Sequence, residues 1–263
     1  MYQGKRLAVV FPAYNEERNI AQAIDDFFAA GGGALVDEVI AVDNNSRDRT
    51  AGLIKASRAT YVSEPKQGYG NAPRRGLAEA AGRADLIVLA EPDGTFAGKD
   101  VARLVAFADD FDLVLGTRTT RELIWQEANM GRFLRWGNWA VAKLLQLLFG
   151  GPSLSDCGCT LRLIHRNAYL AIRDGLTVGG SHFLPEMVCL ALLRGLRLVE
   201  VPVNYRGRVG ESKITGSMKT TVTVGTRMIA LILRYWLTQR ALGRPVARPR
   251  GPDEALRAVP PGS

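Results

Sequence analysis

The sequence predicts an α/β protein built on a doubly wound, mostly parallel β-sheet, and three observations lead there. Short apolar runs at residues 6–11, 38–42, 60–62, 86–90 and 113–115 alternate with stretches of helical spacing, the rhythm of a parallel sheet with crossover helices. The central run, Leu86-Ile-Val-Leu-Ala90, is apolar at every position, as a strand buried on both faces requires. The early runs end in polar residues: Asn15 and Glu16, then Asp43 and Asn44, then Glu91 and Asp93. In an open α/β sheet the carboxyl edge, where these groups converge, is where ligands bind.

In chain order, Arg6 to Phe11 is the first strand, ended by Pro12-Ala-Tyr-Asn-Glu16. Asn15 is expected to cap a helix from Glu16 to Ala30, whose Ile20, Ala23, Ile24, Phe27 and Phe28 share a face, and Gly31-Gly-Gly33 stops it. Glu38 to Val42 is the second strand, running into the turn Asp43-Asn-Asn-Ser46 and an acidic helix start at Asp48. A short strand at Thr60 to Val62 follows, then a helix over Asn71 to Ala81. The glycine pair Gly68 and Gly70 before that helix has room to admit a ligand backbone.

The strand Leu86 to Ala90 must stop at Glu91-Pro-Asp-Gly94, because Pro92 cannot donate to a ladder and Gly94 supplies turn freedom. Two carboxylates one residue apart are costly unless a proton or cation lies between them. Glu91 and Asp93 therefore form either a solvated acidic turn or a site for a hard divalent ion. A helix over Asp100 to Ala108 and a strand at Leu113 to Leu115 complete the alternation.

After Arg118 the pattern changes. Phe133–Phe149 and Met218–Arg240 read as helices mixing Trp and Leu with Arg and Lys, which suits a membrane interface or a core helix with snorkelling arginines. Between them lie a helix over Leu184 to Arg194 and a strand at Leu198 to Val203. Residues 241–263, rich in Pro, Arg and Gly, are expected to be a disordered tail.

Composition narrows the classes. With 47% hydrophobic and 23% charged residues among 263, the chain is globular, and a net charge of +8 favours anionic partners. Three cysteines make no disulfide framework, and Cys157 and Cys159 read as small buried residues. No stretch reaches the roughly 18 apolar residues of a spanning helix, and no signal peptide follows Met1, so a chain that does not cross a bilayer is expected. The first strand lacks a following G-x-G-x-x-G, and no Walker loop is present, which argues against dinucleotide and P-loop sites.

Five ordered motifs carry a resemblance: Phe11-Pro-Ala-Tyr-Asn-Glu-Glu17, Val42-Asp-Asn-Asn-Ser-Arg-Asp48, Glu91-Pro-Asp93, Leu115-Gly-Thr-Arg118 and Arg208-Val-Gly-Glu-Ser-Lys213. Over roughly residues 6–240 the chain resembles the inverting family 2 glycosyltransferases of GT-A fold, in particular the dolichyl-phosphate mannosyltransferase-like branch. That resemblance implies a hexosyltransferase using a GDP- or UDP-hexose, with Pro12, Tyr14, Glu16 and Asp43 near the nucleoside; the glycine pair Gly68 and Gly70 is then a further candidate for the nucleotide's site. It implies Mg²⁺ or Mn²⁺ at Asp93, with Glu91 and Thr95 completing the shell; Glu91 departs from the family's D-x-D, where the first residue is Asp. It implies a polyprenyl-phosphate acceptor at the membrane, a cytoplasmic location peripheral to the inner face, and no nucleic-acid partner. Residues 1–130 would form the nucleotide-sugar half, 131–217 the acceptor half and 218–240 an amphipathic helix.

The chemistry of these residue types agrees. A departing nucleoside diphosphate must have its charge neutralised, by a metal and by basic groups. Arg118, Arg206, Arg208 and Lys213 are candidates for holding phosphates; the alternative is a solvated basic loop. A hydroxyl acceptor needs a general base, whereas an anionic phosphate needs little or none. Asp156 is the candidate base, or else it orients Arg162. His165 and His182 read as structural, and Glu186 as a helix-start carboxylate that favours the dipole. The rival readings are a hydroxyl-directed glycosyltransferase, a nucleotidyltransferase, which would need a glycine-rich basic loop after the first strand, and a non-catalytic nucleotide-sugar-binding subunit.

Overall fold

A computed structural model describes residues 1–125, 128, 132–209 and 218–242. Lys213 and all but the first two residues of the expected tail lie outside the described residues.

One seven-stranded sheet organises the chain, in the order β3-β2-β1-β4-β6-β5-β7. Its strands are β1 (Leu7–Ala13), β2 (Glu38–Asp43), β3 (Thr60–Ser63), β4 (Leu86–Leu89), β5 (Leu113–Thr117), β6 (Arg162–His165) and β7 (Leu198–Pro202). Every pairing is parallel except those of β6, which runs antiparallel between β4 and β5. That strand was not expected. Arg162-Leu-Ile-His165 is too short to display a period, and its place rests on two long-range neighbours.

The helices are α1 (Ile20–Phe28), α2 (Thr50–Ala56), α3 (Asn71–Ala81), α4 (Val101–Val105), α5 (Arg132–Phe149), α6 (Arg166–Ile172), α7 (Phe183–Leu193) and α8 (Met218–Ala241). They cover both faces. Along β1, Leu7, Val9 and Phe11 enter the layer with α1 and α4, while Ala8 and Val10 enter the layer with α3, α5 and α7. β4 is buried throughout, as its uninterrupted apolar run requires. At Gly76 a Cβ would sit 2.3 Å from Val10 Cγ1, so this glycine lets α3 lie close on the sheet.

The first helix begins four residues later than expected, and Asn15 does not cap it. Asn15 adopts φ 54° and accepts a hydrogen bond from Arg47 N at 2.8 Å, while the backbone N–H groups of residues 15–17 donate to Ser46, Thr50 and Asp48. Bonds between the loops after β1 and β2 thus replace a local cap, and hold the two polar strand ends together.

α5 and α8 pack on the layer formed by α3 and α7, burying Val141, Ala142, Leu145, Leu231 and Ile232. Their outer faces leave Trp136, Trp139 and Leu147, then Val222, Ile229, Leu233 and Leu237, exposed. Among the described residues no helix is long and apolar enough to cross a membrane.

Candidate active site

The loops after β1, β2 and β4 meet at the carboxyl edge of the sheet. With the segments after β3 and β7 they enclose a cavity of about 290 Å³ lined by Pro12, Tyr14, Glu16, Asn44, Gly68, Tyr69, Glu91 and Arg208. Asp93 lies beneath, fully buried. Its Oδ1 accepts hydrogen bonds from the Thr95 backbone N, at 3.0 Å, and the Thr95 hydroxyl. Its Oδ2 has no hydrogen-bond partner and stands 3.3 Å from Arg208 Nε. Arg208 is brought there by backbone pairing: Arg206 N donates to Thr95 O at 2.9 Å and Val209 N to Asp93 O at 3.1 Å. The same guanidinium reaches Glu16 Oε1 at 3.4 Å.

Glu91 is gripped by two hydroxyls, Tyr69 at 2.7 Å and Thr160 at 2.8 Å, both donating to Oε1. Of the two carboxyls, Asp93 is the one that keeps a proton more readily. Burial first, and then the Glu91 charge, push Asp93 up to about 7. Burial also opposes ionisation of Glu91, but the Tyr69 hydroxyl, Asp93, Arg208 and Thr160 outweigh it and hold this carboxyl below its usual range. Three carboxylates, those of Glu16, Glu91 and Asp93, thus surround Arg208, with an unsatisfied buried oxygen on Asp93. This donor set fits a hard cation, which takes oxygen ligands. Among the described residues no group of three or more His, Cys, Asp or Glu is placed to hold a metal, so an ion here would draw its remaining ligands from a substrate or water.

Of the residues expected around a nucleotide, Pro12, Tyr14, Glu16 and Gly68 line the cavity. Asp43 does not; its Oδ1 accepts from Ser46 N at 3.1 Å and closes the turn. Its neighbour Asn44 takes the cavity wall instead. Nor do the glycines stand open for a ligand alone. A Cβ at Gly68 would meet Gly179 O at 2.4 Å and one at Gly70 would meet Val178 O at 2.3 Å, while Gly70 N donates to Gly179 O at 2.9 Å. The chain's own 178–180 loop occupies that approach.

Arg118 and Asp156 form a closed pair. Asp156 is fully buried; Oδ2 accepts from Arg118 Nε at 2.7 Å and Arg118 N at 3.2 Å, and Oδ1 accepts from Arg118 Nη2 at 2.9 Å and Gly158 N at 3.1 Å. Glu200 on β7 fixes the same loop, accepting from Ser155 N at 2.7 Å and Asp156 N at 2.8 Å. Asp156 therefore orients Arg118 and not Arg162. Arg162 is buried among carbonyls instead, donating to Cys159 O at 3.2 Å and Leu184 O at 3.1 Å. Arg206 packs 5.3 Å from the Trp125 ring, and its Nε makes no hydrogen bond. Burial pushes the Cys157 and Cys159 thiols up to about 12, so both are inert packing groups.

His165 is held through Nε2 to Ala108 O at 2.6 Å. Glu186 does more than favour a helix start: it accepts from Thr177 Oγ1 and Val178 N at 2.9 Å each and from Tyr235 Oη of α8 at 3.1 Å. Sequence reading missed Tyr69 and Thr160, the hydroxyls that donate to Glu91. The one local signal was Tyr69's position between Gly68 and Gly70.

Residues 8–173 match the protein family described as Glycosyl transferase family 2. A dolichyl-phosphate hexose transferase of Haloferax volcanii is 31% identical over 209 residues, covering 79% of this chain and 86% of that protein. An uncharacterised glycosyltransferase of Mycobacterium bovis is 31% identical over 237 residues, 89% of this chain and 97% of its own. Among solved structures, glucosyl-3-phosphoglycerate synthase of Mycobacterium tuberculosis in complex with UDP superimposes with a TM-score of 0.69 at 22% identity, covering 89% of this chain and 80% of that one. The same enzyme has been solved with Mn²⁺, UDP-glucose and phosphoglyceric acid, at a TM-score of 0.69 and 21% identity. Fold, motif order and sequence agree: the chain belongs to glycosyltransferase family 2, with the GT-A fold and hexosyltransferases among its relatives.

Proposed function

We propose that this glycosyltransferase moves a hexose from a GDP- or UDP-sugar to a polyprenyl phosphate at a membrane surface, with inversion at the sugar carbon. In the step, an acceptor phosphate oxygen forms the bond to the anomeric carbon as the bond from that carbon to the diphosphate oxygen breaks. Pro12, Tyr14, Glu16 and Asn44 hold the nucleoside. Asp93 and Glu91 would hold Mg²⁺ or Mn²⁺, with Thr95 orienting Asp93; the ion would neutralise charge on the leaving diphosphate. Arg208 adds a cation beside it. Arg118, whose Nη1 Asp156 does not engage, and Arg206 serve the acceptor phosphate, together with Lys213, which lies outside the described residues.

The saturation of Asp156 carries this reading. An ionised carboxylate has about four acceptor sites, and Asp156 has four donors in place. It is poorly suited to take a proton from a hydroxyl, and a phosphate acceptor has none to give up. Similarity to the dolichyl-phosphate hexose transferase of Haloferax volcanii supports the same acceptor class. Residues 1–130 then form the nucleotide-sugar half, 131–217 the acceptor half and 218–240 the interfacial helix.

The membrane contact is proposed on the exposed stripe of Val222, Ile229, Leu233 and Leu237, flanked by Arg227 and Arg234, beside exposed Trp136 and Trp139. Apolar area plus attraction to acidic lipid drives such peripheral binding. This would place the enzyme on the inner face of the membrane.

The test offers labelled nucleotide sugar with three acceptors: polyprenyl phosphate, the matching polyprenol and phosphoglyceric acid. Product on the polyprenyl phosphate alone is expected. Transfer to a hydroxyl acceptor and not to the lipid phosphate would replace this reading with a base-catalysed one. No turnover of any nucleotide sugar, with or without Mn²⁺, would favour a binding subunit.

A further inference from the structure

We propose that the chain carries a second anion site, for a phosphomonoester, in a cavity of about 340 Å³ that shares a wall with the candidate active site. Nothing in the transfer reaction uses it. Four cations, Lys66, Arg74, Arg75 and Arg173, and two carboxylates, Glu64 and Asp174, line it together with Asn71 and Tyr169. Two of these cations are already compensated: Arg173 lies 3.1 Å from Asp174 and Arg75 lies 3.7 Å from Glu79. Among the described residues neither Lys66 nor Arg74 has a carboxylate at ion-pair distance. The one carboxylate beside Lys66, Glu64, turns its Oε1 to the Lys66 backbone N at 2.8 Å. Arg74 makes only a long contact of 3.5 Å to Thr177 O.

Two uncompensated cations match the two charges of a phosphomonoester, whose oxygens take charge-assisted bonds from Lys and Arg. Tyr169, 4% exposed, supplies a buried wall. Burial raises the pKa of its phenol, with the Arg173 and Arg74 charges opposing that rise and the Asp174 charge adding to it. A solvated basic face would be flat. This one is concave, and its volume falls within the range of about 300–1,000 Å³ usual for small-ligand sites.

The segment 64–72 is the shared wall. Glu64, Lys66 and Asn71 face this cavity, whereas Gln67, Gly68, Tyr69 and Ala72 face the other. Asn44 binds the segment from the nucleotide side: its Nδ2 donates to Glu64 O at 3.0 Å and Lys66 O at 2.9 Å, and its Oδ1 accepts from Gly68 N at 2.9 Å. An anion drawing on Lys66 therefore acts on the residues that hold Asn44 and Gly68 in place. Occupancy is expected to change the KM for nucleotide sugar more than kcat.

The source of the phosphomonoester is a soluble metabolite or a lipid headgroup, and the experiment separates them. Isothermal titration of the full chain with glycerol 3-phosphate should show saturable binding. Lys66→Gln/Arg74→Gln should weaken it at least tenfold and Lys66→Gln alone, at an exposed position, about threefold. Arg208→Gln should change it less than twofold, which keeps the result separate from the active site. Competition by phosphatidic acid vesicles, and not by phosphatidylcholine vesicles, assigns a lipid headgroup; no competition assigns a soluble ligand. Equal binding by wild type and double variant, or loss through Arg208→Gln instead, overturns the proposal, as does a wild type that takes up no glycerol 3-phosphate.

Discussion

Glu91 holds its charge through two hydroxyls that reach it from distant parts of the chain. Tyr69→Phe and Thr160→Val should each let its pKa rise, because a buried carboxylate losing a donor is left with more of its desolvation cost. Groups supporting a metal ligand are typically worth about 10–100-fold in metal affinity. We therefore expect Mn²⁺ binding, measured by EPR titration, to weaken by about tenfold in each variant and further in the pair. Unchanged affinity in both would show that Glu91 is not a ligand. The Arg118–Asp156 pair makes a different demand. Removing one partner of a buried ion pair costs about 3–5 kcal/mol, because the other is left charged and uncompensated. Arg118→Ala and Asp156→Asn should each lower urea stability on that scale, and Arg118→Met/Asp156→Leu should cost less than the sum. Simple additivity would mean that the pair is not coupled in solution.

Among the elements, the 66–71 and 178–180 loops meet in a contact with no room for a side chain. With Val178 O 2.3 Å from the Cβ position, Gly70→Ala must push one loop from the other. Overpacking of this kind costs about 1–3 kcal/mol. Since Gly68 and Tyr69 line the cavity proposed to hold the nucleotide, the variant should also raise the nucleotide-sugar KM while leaving an unfolding transition that is cooperative. Wild-type KM together with wild-type stability would mean that the loops part freely. Behind the 178–180 loop stands Glu186, bonded to Tyr235 of α8, so the C-terminal helix is fastened to the same loop by a side-chain chain of hydrogen bonds. Tyr235→Phe tests that link. Its removal should raise hydrogen exchange at Thr177 and Val178 at little cost to α8 itself, whose Leu231 and Ile232 stay buried.

For the whole molecule, the buried carboxylate pair ties stability to pH. Asp93 keeps its proton in the folded chain up to about pH 7, whereas an unfolded Asp releases it near pH 4. Between those values the folded state binds the extra proton, so this contribution to stability is full below about pH 4 and is lost as pH rises through about 7. Asp93→Asn has no proton to lose. In EDTA, thermal melting from pH 5 to pH 8 should fall more steeply for wild type than for Asp93→Asn, with the variant the more stable at pH 8. Parallel profiles would refute the assignment. At the membrane, vesicle flotation should recover wild type with acidic lipid and lose Leu233→Glu and Leu237→Glu to the soluble fraction. Equal partitioning of all three would remove the exposed α8 stripe as the contact.

The alternating strands and helices were legible in the sequence, as were the polar strand ends at the carboxyl edge and the turn that carries Asp93. Each of these is written locally, in an apolar run, a Pro-Gly stop or a polar strand end. The partners come from contacts between distant segments. Asp156 meets Arg118 across 38 residues, Tyr69 meets Glu91 across 22 and Thr160 meets it across 69, because β6 turns back between β4 and β5 and carries the 155–160 loop to the edge. Arg208 reaches Asp93 because the chain after β7 pairs its backbone with residues 93–95. The glycines around Tyr69 made room for residues 178–180, which no nearby residue foretells. Hydrophobic period and turn chemistry are properties of neighbours along the chain. Which carboxylate is neutralised, and by whom, depends on sheet register and loop packing between segments far apart in sequence.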